Sequence, residues 1–373
     1  MTECASRKPV RFVALDGLRG MAALLVAIGH WIGGFPAYLA VDFFLLLSGF
    51  VLAYRYLYSG SVSYREFVIA RLARLYPLHL LTLFAFAAVY LLRFRQMPHY
   101  ADGDGWTFVA NLLLLQNVGL FTSELTWNAP SWSISVEFLV NLLFFAFIST
   151  RTSSRILIAI AIAAFVVLAL FQGSLAVSLP NYLGVFNSGI VRGVASFSLG
   201  IVAYRVHLYA RTSDHTLRTR GRAFRLAVLA CAALLVLVPR PGAGWIDFLA
   251  PLVFFATVVL FAERDRGDSR TLRYAAYLGE ISYSIYLVHY PVLQFMRYIR
   301  EVLKHKQWDA GLGQLFVDPV LSLMPFIIAV LLVSHFVYRW FEVPSKRWVK
   351  HILAPVASTQ RTGMSNSLKF PEQ

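Results

Sequence analysis

LDGLRGMAALLVAIGHWIGGFPAYLAVDFFLLLSGF, residues Leu15–Phe50, decides the fold. It is apolar enough to cross a bilayer, yet it carries Asp16, Arg19, His30 and Asp42. Ionisable groups at membrane depth are costly, so each needs a partner or a task. Arg19 and His30 are eleven residues apart; on an α-helix that is about 16.5 Å of rise and three turns plus roughly 20°. Both side chains therefore share one face near opposite ends of one crossing, like two stations of an internal path. A single arginine near a helix end snorkels to the headgroups, and a lone helical histidine is commonly a hydrogen-bonded core residue. The two on one face, with more buried polar residues downstream, favour a functional reading.

The rest of the chain has the same character. Its 373 residues are 58% hydrophobic and 14% charged, with mean hydropathy +0.63, whereas soluble domains are about 45–50% apolar and about 25% charged. This composition predicts an all-α, polytopic membrane helix bundle. About twenty apolar residues make a crossing, and ten stretches qualify: 12–34, 38–58, 72–92, 130–150, 156–172, 183–204, 223–239, 244–263, 277–296 and 318–341. The first is not expected to be a cleavable signal, because Arg19 interrupts it and a second crossing follows at once. One domain spans 1–354, and a polar tail over 355–373 reads as disordered and cytoplasmic.

The formal charge of +15 would suggest nucleic acid for a soluble protein. Here the arginines lie in short loops, and the positive-inside rule accounts for them without a nucleic-acid partner. With both termini cytoplasmic, only Arg93, Arg95, Arg240, Arg297, Arg300, Lys304 and Lys306 fall outside. That balance holds only if 106–121 does not cross, so this segment is expected to be re-entrant or interfacial. Cys4 and Cys231 show no disulfide framework and no metal-ligand spacing, and no metal is expected.

Several positions could carry chemistry. Arg71 and Arg74 are neighbours at i and i+3 and can clamp a phosphate; as plain topological charge they need no ligand. Glu137, in the run SWSISVE, can act as an acid or base, orient a histidine, or simply join helices. Arg192 lies among small residues and can pair with Asp42 or Glu137, or bind an anion. His289 sits beside Pro291 and tyrosines, where aromatic-belt anchoring is the alternative. His79 and Glu342 support no mechanism by themselves.

Taken in order, LDGLRGMAALLVAIGH, VDFFLLLSGF, RLARLYP, WSISVE, SYSIYLVHYP and FEVP resemble the acyltransferase family 3 membrane proteins over roughly 12–344. Ala40 and Ala70 stand where that family usually has Gly and Arg. The resemblance implies a bacterial inner-membrane O-acyltransferase with acyl-CoA, typically acetyl-CoA, as donor. The acceptor would be a hydroxyl of a carbohydrate such as an exopolysaccharide, or of a small molecule, on the extracytoplasmic side. Arg71, Arg74 and Arg19 would hold the donor, and His30, with Arg19 and Glu137, would carry the chemistry as general base or nucleophile. Asp16, Asp42, Arg192 and His289 are further candidates. The competing reading is a transporter or flippase of a glycolipid or proton-coupled solute, which also needs buried charge but usually shows inverted repeats.

Overall fold

A computed structural model describes residues 11–34, 36–58, 62–119, 124–176, 181–182, 186–210, 223, 226–233, 244–262, 270–308, 311–318 and 320–353. Cys4 and the polar tail lie outside these residues. The expected all-α bundle is present. Its helices are α1 (Val13–Ile32), α2 (Ala40–Leu52), α3 (Tyr64–Phe94), α4 (Asp104–Leu112), α5 (Trp132–Phe147), α6 (Ser154–Phe171), α7 (Ser188–Ala210), α8 (Ala250–Ala262), α9 (Arg270–Glu280), α10 (Ser282–His305), α11 (Leu323–Val337) and α12 (Val343–Leu353). A two-residue antiparallel ladder pairs Asn181–Tyr182 with Phe186–Asn187 ahead of α7.

Among the described residues, eight helical segments are long and apolar enough to cross a membrane. This is fewer than the ten expected. The stretch 223–239 is described only in part, as a helix over 226–233. The stretch 277–296 straddles Ile281, where α9 ends and α10 begins. α10 is 24 residues long, but Arg297, Arg300, Glu301 and Lys304 make its second half polar. The segment 106–121 holds only the nine-residue α4, about 13.5 Å long against a hydrocarbon core of about 30 Å. α4 instead docks on α3: His79 Nε2 donates to the Asn111 carbonyl at 2.7 Å, and Tyr76 donates to that of Leu112 at 2.9 Å.

Two close helix approaches set the frame. Gly20 of α1 and Gly279 of α9 face each other's helices; a Cβ on the first would overlap Leu278, and one on the second the Asp16 carbonyl. Gly49 of α2 and Gly200 of α7 do the same, against Phe197 and Leu46. Small residues let membrane helices approach until their backbones touch. The first contact brings Arg19 to the α9–α10 junction, and the second brings Asp42 to Arg192.

α3 begins with a capping box. The Glu66 amide donates to Ser63 Oγ at 3.3 Å, and the Ser63 amide donates to Glu66 Oε2 at 2.9 Å. Anchored there, α3 presents Arg71 and Arg74 about two and three turns later. Two π-helical turns, Ala53–Leu57 and Tyr338–Glu342, flank the same end of the bundle. Such turns recur at functional sites because the inserted residue re-aims its neighbours. Here they carry Arg55 and Glu342.

Candidate functional site

The polar candidates divide into three groups. The first lines a cavity at the arginine end of α1, about 870 Å³ counting its open mouth. Arg19, Arg55, Arg71 and Arg74 line it, with Glu137, Ser48, Ser282, Tyr283 and Tyr286. Four guanidiniums against one lining carboxylate leave a strong positive excess. Glu137 accepts a long hydrogen bond from Ser48 Oγ at 3.5 Å. Glu342 accepts from Ser284 Oγ at 2.6 Å, and its charge acts on this cluster together with that of Lys346.

The arginines are held differently. Arg19 donates from Nη2 to the Gly279 carbonyl at 2.7 Å and from Nε to Ser282 Oγ at 2.9 Å. Asp16 Oδ1 lies 3.3 Å from the same Nη2, and Asp16 also pairs with Arg11. Asp16 thus orients Arg19. Arg71 is buried, its guanidinium 5.9 Å from the Phe67 ring. The Nε atoms of Arg71 and Arg74 are both buried and have no hydrogen-bond partner among the described residues. A buried donor without an acceptor costs about 1–3 kcal/mol, more when charged. Planar guanidiniums spaced in this way fit the oxygens of phosphate groups.

The second group is the pair Asp42 and Arg192. Arg192 Nε donates to Asp42 Oδ1 and Oδ2 at 3.0 and 3.1 Å, and Nη2 to Oδ2 at 2.5 Å. Nη1 and Nη2 also donate to the Leu175 and Tyr38 carbonyls at 2.7 Å each, and Ser196 Oγ donates to Asp42 Oδ1 at 2.8 Å. Both side chains are buried. Of the partners open to Arg192 in the sequence, the structure selects Asp42 rather than Glu137. The pair ties α2 to α7.

The third group lies at the opposite end of α1. His30 Nδ1 is 2.9 Å from the Val26 carbonyl and 3.3 Å from His289 Nε2. His289 Nδ1 is 3.2 Å from the Ile285 carbonyl. The rings are 5.0 Å apart. Tyr290, stacked on Phe86, stands 6.0 Å from His30. Further along α10, Arg93 donates to Gln294 at 2.6 Å and pairs with Glu301.

Arg19 and His30 share a helix face, as their spacing predicts, but not a cavity. Val26 lies between them on that face. It packs with Leu75, Leu78, Leu114, Ile134, Tyr286 and Leu287. Tyr286 belongs to both sides: it lines the arginine cavity, and its ring is 6.0 Å from that of His289. Its hydroxyl donates to the Pro130 carbonyl at 3.0 Å and shares a 2.8 Å bond with Ser133 Oγ.

Sequence reasoning did not select Arg55, Ser48, Tyr283 or Tyr286. A signal was available for some. Ser48 and Arg55 are seven apart, and Ser282, Tyr286 and His289 recur at i, i+4 and i+7 on one face of α10. That these faces meet is a tertiary fact.

Comparison with known proteins supports the same assignment. The profile of the acyltransferase domain family (Acyl_transf_3) matches residues 12–339. A protein from the picA locus of Rhizobium radiobacter is 36% identical over 43% of this chain and 94% of its own length. BcsY of Komagataeibacter xylinus, provisionally named a membrane-bound transacylase, is 26% identical over 84% of this chain and 81% of its own. YrhL of Bacillus subtilis, provisionally named a peptidoglycan O-acetyltransferase, is 26% identical over 77% of this chain and 49% of its own. No solved structure matches. A multi-pass helical bundle, a buried arginine cavity and a profile running almost from end to end agree: this chain belongs to the Acyl_transf_3 family of membrane acyltransferases.

Proposed function

We propose that this protein is a transmembrane O-acyltransferase of a bacterial inner membrane. It takes an acyl group, typically acetyl, from cytoplasmic acyl-CoA and passes it to a hydroxyl of a carbohydrate or related acceptor on the other face. The observation that carries this reading is the cavity with four guanidiniums, two of them with buried, unmatched Nε donors, at the opposite end of α1 from His30. Phosphates cannot enter lipid, so the nucleotide end of an acyl-CoA needs such a cavity at the cytoplasmic side. The positive-inside balance, read with both termini cytoplasmic, supports that side for the cavity.

The thioester arm then runs along the Arg19–His30 face, about 16.5 Å. The Val26–Tyr286 layer must part for it. At His30 two routes conserve atoms. As general base, the imidazole takes the acceptor proton while the alkoxide oxygen bonds to the thioester carbonyl carbon. The C–S bond breaks, and the thiolate regains that proton as CoA thiol. As nucleophile, the imidazole takes the acyl group first, releases the thiol, and yields the acyl group to the hydroxyl. Arg19, fixed by Asp16, Gly279 and Ser282, acts on the donor side, and Glu137 balances charge in the cavity.

Membrane vesicles given labelled acyl-CoA and surface-glycan acceptor test this. His30→Ala is expected to reduce ester formation by about 10²–10⁴-fold, the usual worth of such a group. Wild-type ester yield in that variant would refute the role of His30. Solute movement persisting without any acyl donor would favour a transporter instead.

A further inference from the structure

We propose that His289 is a positioning residue that sets the tautomer of His30. The inference rests on His30 being the reacting imidazole. A carbonyl oxygen only accepts hydrogen bonds, so the nitrogen facing it must carry the proton. His30 Nδ1 faces the Val26 carbonyl at 2.9 Å, and His289 Nδ1 faces the Ile285 carbonyl at 3.2 Å. In its neutral form each ring thereby carries its proton on Nδ1, anchored one turn back on its own helix. His289 Nε2 is then a bare lone pair, and it lies 3.3 Å from His30 Nδ1. The His30 N–H is shared between Val26 and His289, one acceptor on α1 and the other on α10.

The consequence falls on the far side of the His30 ring. With the proton held at Nδ1 by two acceptors, the Nε2 lone pair is the one left for an incoming hydroxyl or acyl carbon. Nδ1 tautomers held by a second acceptor are the standard means of aiming a reactive imidazole. His289 is suited to this because it is itself immobilised. It is fully buried, and its ring packs against Tyr286 and Tyr290 at 6.0 and 6.4 Å. Those same contacts place it directly behind the layer that separates the donor cavity from His30, so the orienting group and the barrier sit on consecutive turns of α10.

Two variants separate this from a packing role. His289→Leu fills similar space but accepts no hydrogen bond. His289→Gln offers a carbonyl oxygen to His30 Nδ1–H. In the labelled acyl-CoA assay, His289→Leu is expected to lower kcat by roughly 10–100-fold, as loss of an orienting partner typically does, with the donor KM unchanged. His289→Gln should recover most of the rate. Carbethoxylation of His30 by diethyl pyrocarbonate, followed by peptide mass spectrometry, reads the free Nε2 without any turnover. It should slow in His289→Leu and return in His289→Gln. Equal rates in all three proteins, or equal losses in both variants, overturn the proposal. If His30→Ala proves fully active, the carbethoxylation pattern still decides whether His289 governs the His30 ring.

Discussion

Arg192 and the Arg71–Arg74 pair all bury guanidinium nitrogens in a membrane bundle, yet they answer opposite questions. Arg192 has a bidentate carboxylate, two backbone carbonyls and the face of Trp132 5.8 Å away. Each of its three nitrogens has an acceptor. Arg71 and Arg74 keep buried Nε donors without partners and open onto a cavity. A saturated buried cation joins helices; an unsaturated one, kept at a cost, waits for an anion. Burial alone does not tell them apart. The count of matched donors does.

The sharpest way to break this contrast is to remove one partner from each site. Asp42→Asn leaves the Arg192 charge unpaired, which costs about 3–5 kcal/mol in comparable buried pairs. It should appear as a large drop in thermal midpoint in detergent, with donor KM unaltered in the protein that survives. An unchanged midpoint would mean that the pair is not the α2–α7 tie described above.

Arg71→Ala and Arg74→Ala should show the reverse pattern. Each removes charge-assisted hydrogen bonds worth about 1.5–3 kcal/mol, so donor KM should rise about 10–100-fold. Thermal midpoint should hold or increase, because a repulsive buried charge is gone. Loss of stability without loss of donor affinity would place these arginines with Arg192 and undo the contrast.

Tyr286→Phe probes the layer between the two ends. It deletes the hydroxyl bonds to Ser133 and Pro130, about 0.5–1.5 kcal/mol each, and leaves the ring in place. If parting of that layer limits turnover, kcat should rise up to about tenfold at constant donor KM. A fall in kcat would show that the hydroxyl serves the reaction itself.

The smallest effect is electrostatic and lies in the loop before α4. Asp104 accepts the Tyr100 amide at 2.8 Å and faces His99 at 3.1 Å. These contacts hold its carboxyl below the ordinary range. A depressed folded pKa stabilises the loop above the unfolded value, and that support disappears as pH falls through the folded one. Hydrogen exchange of the 99–104 amides should therefore quicken on acidification in the wild type. In Asp104→Asn it should be insensitive to pH in that window, after correction for intrinsic exchange.

Much of this was legible in advance because it is periodic or compositional. Bilayer-length apolar runs announce helices. An eleven-residue spacing puts Arg19 and His30 on one face, and three residues put Arg71 beside Arg74. Loop charge alone marked the segment around α4 as re-entrant or interfacial, and the nine-residue helix there is shorter than a bilayer crossing. The break at Ile281 was not, since the run from 277 to 296 reads as one crossing by length and hydropathy, and the close approach of Gly279 to Asp16 of α1 is a tertiary contact.

What the chain determined by itself was local: helix, face and membrane character follow from residue type and spacing. The tertiary structure alone decided partnership. It paired Arg192 with Asp42, left the Nε donors of Arg71 and Arg74 unmatched, and set His289 behind His30. It also closed the interior between Arg19 and His30 with Val26 and Tyr286. The reason is that hydrogen bonds and ion pairs depend on distances of about 3 Å between helices far apart in sequence. Those distances are set by where glycines let backbones touch, and no spacing along one helix encodes them.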